Sequence, residues 1–306
     1  MRLLAAAALA LALTGSTAAP SPHIGGCPLF PASSPWNQRV DRLPVAANSA
    51  ALIASIGLDV GVHADFGSGL WDGSRIGIPY VVVHGKAAPK SRVSFEYAGE
   101  SDKGPYPIPR NVPIEGEPAH TDGDRHALIV DRDSCRLYEL YALQRSGSRW
   151  TAGSGAIWSL RSNAMRPAGW TSADAAGLPI LPGLARWDGD ASTGVIRHAL
   201  RFTAARTRRA YLYPARHYAS SSDDPSLPPM GLRVRLKAAV DISHLPPQAL
   251  MGAQAMKTYG LILADNGSSW YVTGAPSPHW SNDQLHALGA LHGSDFEVVD
   301  TSSLRP

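Results

Sequence analysis

The sequence predicts a mainly β protein, an antiparallel β-sandwich or jelly roll with a few short peripheral helices. Two observations carry that expectation. The 25 prolines and 29 glycines of the 306-residue chain recur between short apolar stretches, the punctuation of many short strands joined by turns. Stretches with a 3.6-residue apolar period are few, so helices should be minor elements. No internal repeat, charge run or low-complexity linker divides the chain, and a single domain over residues 20–306 is the simpler organisation.

Ahead of that domain, Met1-Arg2 leads into an apolar run from Leu3 to Leu13 and then "TGSTAA" at 14–19, small residues suited to cleavage after Ala18 or Ala19. Residues 1–19 therefore read as a secretory signal peptide, and the mature protein is expected to be secreted, extracellular or periplasmic. The run is too short for the roughly 20 apolar residues of a membrane-spanning helix, and no later stretch approaches that length. Cys27 and Cys135 are an even pair suited to a disulfide in an oxidising compartment. The rival arrangement acylates Cys27 in "IGGC" and leaves Cys135 free. It is disfavoured because Cys27 lies well past the apolar run, behind Pro20, Pro22 and His23.

Within the domain, strands are expected at 80–83, 93–97, 127–130, 137–143, 156–160, 195–203, 210–213, 232–240, 261–264, 270–273 and 296–299, each a short run rich in β-branched or aromatic residues. Three helices interrupt them. "SAALIASI" follows Asn48, a good N-cap, and stops at Gly57. "QALMGAQAMKTY" enters through Pro246-Pro247 and ends at Gly260. The third helix begins with Ser281 and Gln284, a capping box, and runs to Leu291. Asn266-Gly267 in "ILADNGSSWYV" predicts a tight hairpin.

The net charge is only +3 and charged residues are 17% of the chain, which excludes a general nucleic-acid binder. There is no G-x-S-x-G elbow, P-loop or Rossmann fingerprint, so serine hydrolases of that fold and nucleotide enzymes are disfavoured and no cofactor is expected.

The stretch "DRHALIVDRDSCRLYELY" at 124–141 carries the first candidate site. If the chain reverses over Arg132 to Cys135 and Val130 pairs with Leu137, then His126, Leu128, Val130, Leu137, Glu139 and Tyr141 share one sheet face. Glu139 on a concave face could serve as an acid or base with its pKa raised by apolar neighbours. The competing reading places it on the wet face of a half-buried hairpin. A second carboxylate is needed, and its separation would decide between inversion and retention. Asp265 and Asp174 are the candidates, although Asp265 also reads as a turn residue before Asn-Gly and Asp174 as an early acid of a short helical turn.

His126, His198 and His217 could converge, but no H-x-H, H-E-x-x-H or C-x-x-C spacing accompanies them, so no metal is expected. Arg197, Arg201, Arg233, Arg235 and Lys237 would form a cationic stripe if their two strands were neighbours, suited to a uronate polymer. The plainer reading is a solvated outer face. Trp158, Trp170 and Trp270 with Tyr141 could stack on sugar rings, or serve as core aromatics.

Several stretches act as a set: "SPWNQRVDRLPV", "DGDRHALIVDRDSCRLYELY", "SNAMRPAGWTSADAAGLPILPGL", "HALRFT", "YPARHYASSSDDPSLPPMGLRVRLKA", "YGLILADNGSSWY" and "GSDFEVVD". Together they resemble a broad group of exported proteins of soil bacteria, largely uncharacterised, over nearly the whole mature chain. The resemblance implies a shared exported fold and points toward carbohydrate-active proteins, an association these motifs do not themselves establish. It carries no catalytic residue to any position.

The expected function is a secreted, carbohydrate-active enzyme that cleaves an extracellular polysaccharide by general acid/base glycoside hydrolysis. Glu139 with Asp265 or Asp174 would be the acid/base pair, His126 and His217 would tune or position, and Trp170, Trp270, Trp158, Tyr141, Arg216 and His198 would contact substrate. One alternative is a uronate lyase in which Arg216 neutralises the carboxylate. The other is a non-catalytic carbohydrate-binding or cell-surface protein. A monomer is expected.

Overall fold

The computed structural model describes residues 21–304; the expected signal peptide lies outside the described residues. Strands β1 (His23–Ile24) and β2 (Cys27–Pro28) form a small ribbon, followed by helix α1 (Ser49–Ile56), β3 (His63–Asp65), the ribbon of β4 (Leu70–Trp71) and β5 (Ser74–Arg75), then β6 (Tyr80–Val83) and β7 (Val93–Phe95). Next come β8 (Ala127–Asp131), β9 (Arg136–Tyr141), β10 (Gln144–Ser146), β11 (Arg149–Ala152) and β12 (Ser154–Ser159). The chain continues through β13 (Leu200–Ala204), β14 (Arg233–Leu236), α2 (Pro247–Thr258), β15 (Leu261–Asn266), β16 (Tyr271–Thr273), α3 (Asn282–His286) and β17 (Phe296–Val298).

The protein is thus mostly β, with three short α-helices, and its sheets assemble in a sandwich-like arrangement. A four-stranded sheet has the order β12-β9-β8-β6, a three-stranded one β10-β11-β7, and a six-stranded one β17-β14-β15-β13-β16-β3. The sheets are not purely antiparallel: β6 runs parallel to β8, β7 to β11, β13 to β15 and β3 to β16.

Both faces of the four-stranded sheet are covered. Leu128, Val130 and Leu137 pack against Leu29, Phe30 and Leu181, while Ala127, Ile129 and Leu140 face Tyr106, Ile108 and Trp150. That explains why β8 reads "ALIV" without polar alternation, as a strand buried on both sides must. The six-stranded sheet buries its apolar side chains with Leu52 and Ile53 of α1, Ala253 and Met256 of α2, and Leu285 of α3. A disulfide joins Cys27 to Cys135 and fastens the N-terminal segment to the turn between β8 and β9. No helix among the described residues is long and apolar enough to cross a membrane.

Three expectations are corrected. Residues 210–213 form no strand; Tyr211 makes only an isolated bridge to Met230. The Asn266-Gly267 hairpin does not close, because β13 lies between β15 and β16, parallel to the first and antiparallel to the second. Gly267 crosses over Thr203 of the intervening strand, and a Cβ there would sit 3.2 Å from that side chain. The cationic stripe does not form either, since β15 separates β13 from β14. Arg201 and Arg233 are 2% and 3% exposed. Arg233 donates inward to the carbonyls of Pro35 and Gln38, in an N-terminal segment that has no strand partner of its own, and to that of Tyr259 at the end of α2.

Candidate functional site

The β8–β9 register is the one expected from the turn, with Val130 opposite Leu137 and Leu128 opposite Glu139. It brings the rings of His126, just before β8, and Tyr141, at the end of β9, to 5.9 Å. At this end of the sheet a cleft of about 440 Å³ opens. The end of β15 contributes Asp265 and Asn266, and loops around Glu100, Asp174 and His217 close the sides.

His126 forms the floor. Its Nδ1 lies 2.5 Å from Glu115 Oε2 and its Nε2 3.0 Å from the carbonyl of Ala173. Both neighbours are acceptors, so both ring nitrogens donate. Burial opposes the ring's charge, but the Glu115 carboxylate outweighs it and holds the imidazolium up to about 9. Asp174 is fixed from the opposite side, where Arg201 donates to both of its oxygens, at 2.9 and 3.2 Å, and also to Thr273 Oγ1 at 2.9 Å.

Asp265 is the carboxyl left over. Its Oδ2 lies 3.5 Å from Arg201, whose guanidinium is already committed to Asp174. Burial, and then the Asp174 charge, raise its pKa to about 7 against the opposing pull of Arg201. Near neutral pH it is therefore partly protonated and can donate. His217 faces the same cleft. The Ala175 carbonyl accepts from its Nδ1 at 2.9 Å, which leaves Nε2 as the lone-pair nitrogen, with no protein partner among the described residues.

Four of the predicted catalytic residues, His126, Asp174, His217 and Asp265, thus line one cleft, with Tyr141 beside them. Glu139 does not. It is fully buried and accepts N–H groups from Ile180, Leu181 and Trp158 Nε1; the sheet face expected to be concave or wet is covered by the segment it holds. His198 is also buried, between Asp190 and the Ala199 carbonyl, and Trp270 is stacked in the core between Phe202 and Phe296. Trp158 and Arg216 line a separate apolar depression of about 40 Å³. Trp170 lies beneath the Arg166 guanidinium at 5.5 Å. Of the expected substrate contacts, only Tyr141 lines the cleft.

Sequence reasoning missed Glu115, Asp124, Glu100 and Tyr97. Asp124 had a signal: it precedes His126 by two residues, which in extended chain places both side chains on one side. Among the described residues, no group of three or more His, Cys, Asp or Glu side chains is arranged to hold a metal ion. Comparison with protein-family models, with curated proteins and with solved structures gave no match.

Proposed function

We propose that the cleft cleaves a glycosidic bond of an extracellular polysaccharide by general acid–base catalysis. Asp265 donates a proton to the leaving oxygen, and His217 Nε2 takes one from the attacking water. The observation that carries this reading is a carboxyl held up to about 7 in the same cleft as an imidazole whose Nε2 is free. A carboxyl that still holds its proton near neutral pH can give it to a leaving oxygen, and an imidazole nitrogen with a free lone pair can take one from water. Asp174 and Arg201 position Asp265; His126 and Glu115 stiffen the floor. Tyr97 and Tyr141 supply faces for a sugar ring, and Thr171 and Asn266 supply polar groups for its hydroxyls. The disulfide agrees with an oxidising, extracytoplasmic setting. The lyase alternative is less well supported, because Arg216 lies outside the cleft and donates to the Arg166 carbonyl.

The test is turnover of a panel of polysaccharides, followed by new reducing ends. Asp265→Asn and His217→Gln should each lower kcat by about 10²-fold or more with the melting temperature nearly unchanged. In the wild type kcat/KM should fall as pH rises through about 7, where Asp265 loses the proton it must give. Turnover by Asp265→Asn within about tenfold of wild type removes the assignment. A wild-type protein that binds glycans and cleaves none is the non-catalytic alternative.

A further inference from the structure

We infer that the substrate of this cleft carries free amino groups, as a glucosamine-type glycan does, and that the cleft discriminates against uronates. The inference rests on the glycan reading for the kind of molecule and on the charges in the cleft for the selection. Its walls include the carboxyls of Glu100, Asp124, Asp174 and Asp265, and no lysine or arginine lines it. The two cations at the cleft are already matched: Arg201, behind the wall, is held by both oxygens of Asp174, and His126, in the floor, by Glu115.

Two carboxylates, Glu100 and Asp124, remain without a countercharge, and Asp265, the proton donor of the proposed reaction, stands beside them. Glu100 accepts only the backbone N–H of Thr171, at 2.8 Å. The nearby Arg166 serves Asp102 instead, at 2.7 Å, together with the Glu100 carbonyl. Asp124 is exposed, and its side chain has no hydrogen-bond partner or ion pair among the described residues. Asp265 accepts from the N–H of Asn266 and shares Arg201 at a distance. The chain as a whole is basic, with a net charge of +3, so the acidic cleft is a local feature of the opposite sign.

The consequence for recognition is a matter of charge matching. A uronate would bring a carboxylate on every ring against these groups with no unmatched cation to receive it, and like charges in an enclosed site discriminate strongly. An ammonium offers three donors to Asp124, which has none, and to Glu100, which has a single backbone N–H, and the faces of Tyr97 and Tyr141 tolerate a cation as well as a sugar ring.

The test is a calorimetric titration of the full protein at about pH 6, where a sugar amine is charged, with three oligosaccharides: a glucosamine oligomer, its N-acetylated counterpart and a galacturonate oligomer. The first two share the same sugar backbone and differ at the nitrogen, a charged ammonium in one and a neutral acetamide in the other. The glucosamine oligomer should bind about tenfold tighter than the N-acetylated one, and the uronate weakest. High salt should erode the preference, and Asp124→Asn should reduce it several-fold with the circular dichroism unchanged. Equal binding of the first two, preference for the uronate, no binding of any, or a preference unaltered in Asp124→Asn overturns the inference. Turnover is read separately. Preference without cleavage removes the acid–base reading and keeps the selectivity, whereas cleavage of neutral glycans without preference removes the selectivity alone.

Discussion

Glu139 and Asp265 are both raised to about 7 by burial, yet their surroundings give them different work. Glu139 receives three N–H donors and has no path to solvent, so it ties the segment at Ile180 and Leu181 to the sheet. Glu139→Ala would leave those donors buried and unpaired and should cost about 3 kcal/mol or more in a denaturant titration. Its titration also sets a slope. The folded value lies above the ordinary 4.5, so the folded state holds a proton that the unfolded chain has released. Stability should fall as pH rises from about 4.5 to 7, by roughly 3 kcal/mol from this group. Measured against pH, the unfolding free energy of Glu139→Gln should lack that share of the slope. His126 acts at higher pH: its contribution is whole below 6.5 and disappears as pH rises through about 9. Composition alone could not separate the two carboxyls, because what distinguishes them is whether one oxygen can reach solvent.

At the scale of elements, the start of α3 shows how local signals are reused. Ser281 Oγ accepts the N–H of Gln284 at 3.4 Å, the expected half of a capping box. The other half goes elsewhere: Gln284 Oε1 accepts the N–H of Gln248 at 3.1 Å, and Gln248 Oε1 accepts the N–H of Ser281 at 2.7 Å. The cap has become a clasp between α2 and α3. Gln248→Ala should therefore destabilise by about 1–2 kcal/mol and Ser281→Ala by less than about 1, an order the capping box alone would reverse. Chemical denaturation of the two variants decides it. The three helices were legible because their start and stop signals are local, although Asn48 makes no side-chain cap for α1 and α3 ends at His286, passing into a 3₁₀ turn over Ala287–Ala290 instead of running as α-helix to Leu291. The strand order was not: Asn266-Gly267 is a hairpin signal, and nothing in those residues shows that β13 occupies the space between β15 and β16.

For the whole molecule, the disulfide is the strongest single constraint on the chain, closing a loop across a sequence separation of 108. By the chain-entropy argument a loop of that length contributes about 4–5 kcal/mol. The double substitution of Cys27 and Cys135 by alanine should lower the unfolding free energy by that order. Since Cys135 lies at the β8–β9 turn, the opposite end of the hairpin from the cleft, the folded variant should keep its kcat.

The sequence by itself determined the β-rich class, the approximate positions of the helices and the pairing of the two cysteines, while the register of β8 with β9 was one option among others until the structure paired Val130 with Leu137. The first three depend on turn residues, helix start and stop signals and an even cysteine count, all of them readable from the chain without its partners in space. Only the tertiary structure decided which charges are buried and which meet in the cleft. Arg201, Arg233 and Glu139 look like surface residues until the second face of each sheet is covered. Asp124, Asp174, His217 and Asp265 come together from four distant segments because two sheets and the loops between them end at the same place, a convergence that no local spacing encodes.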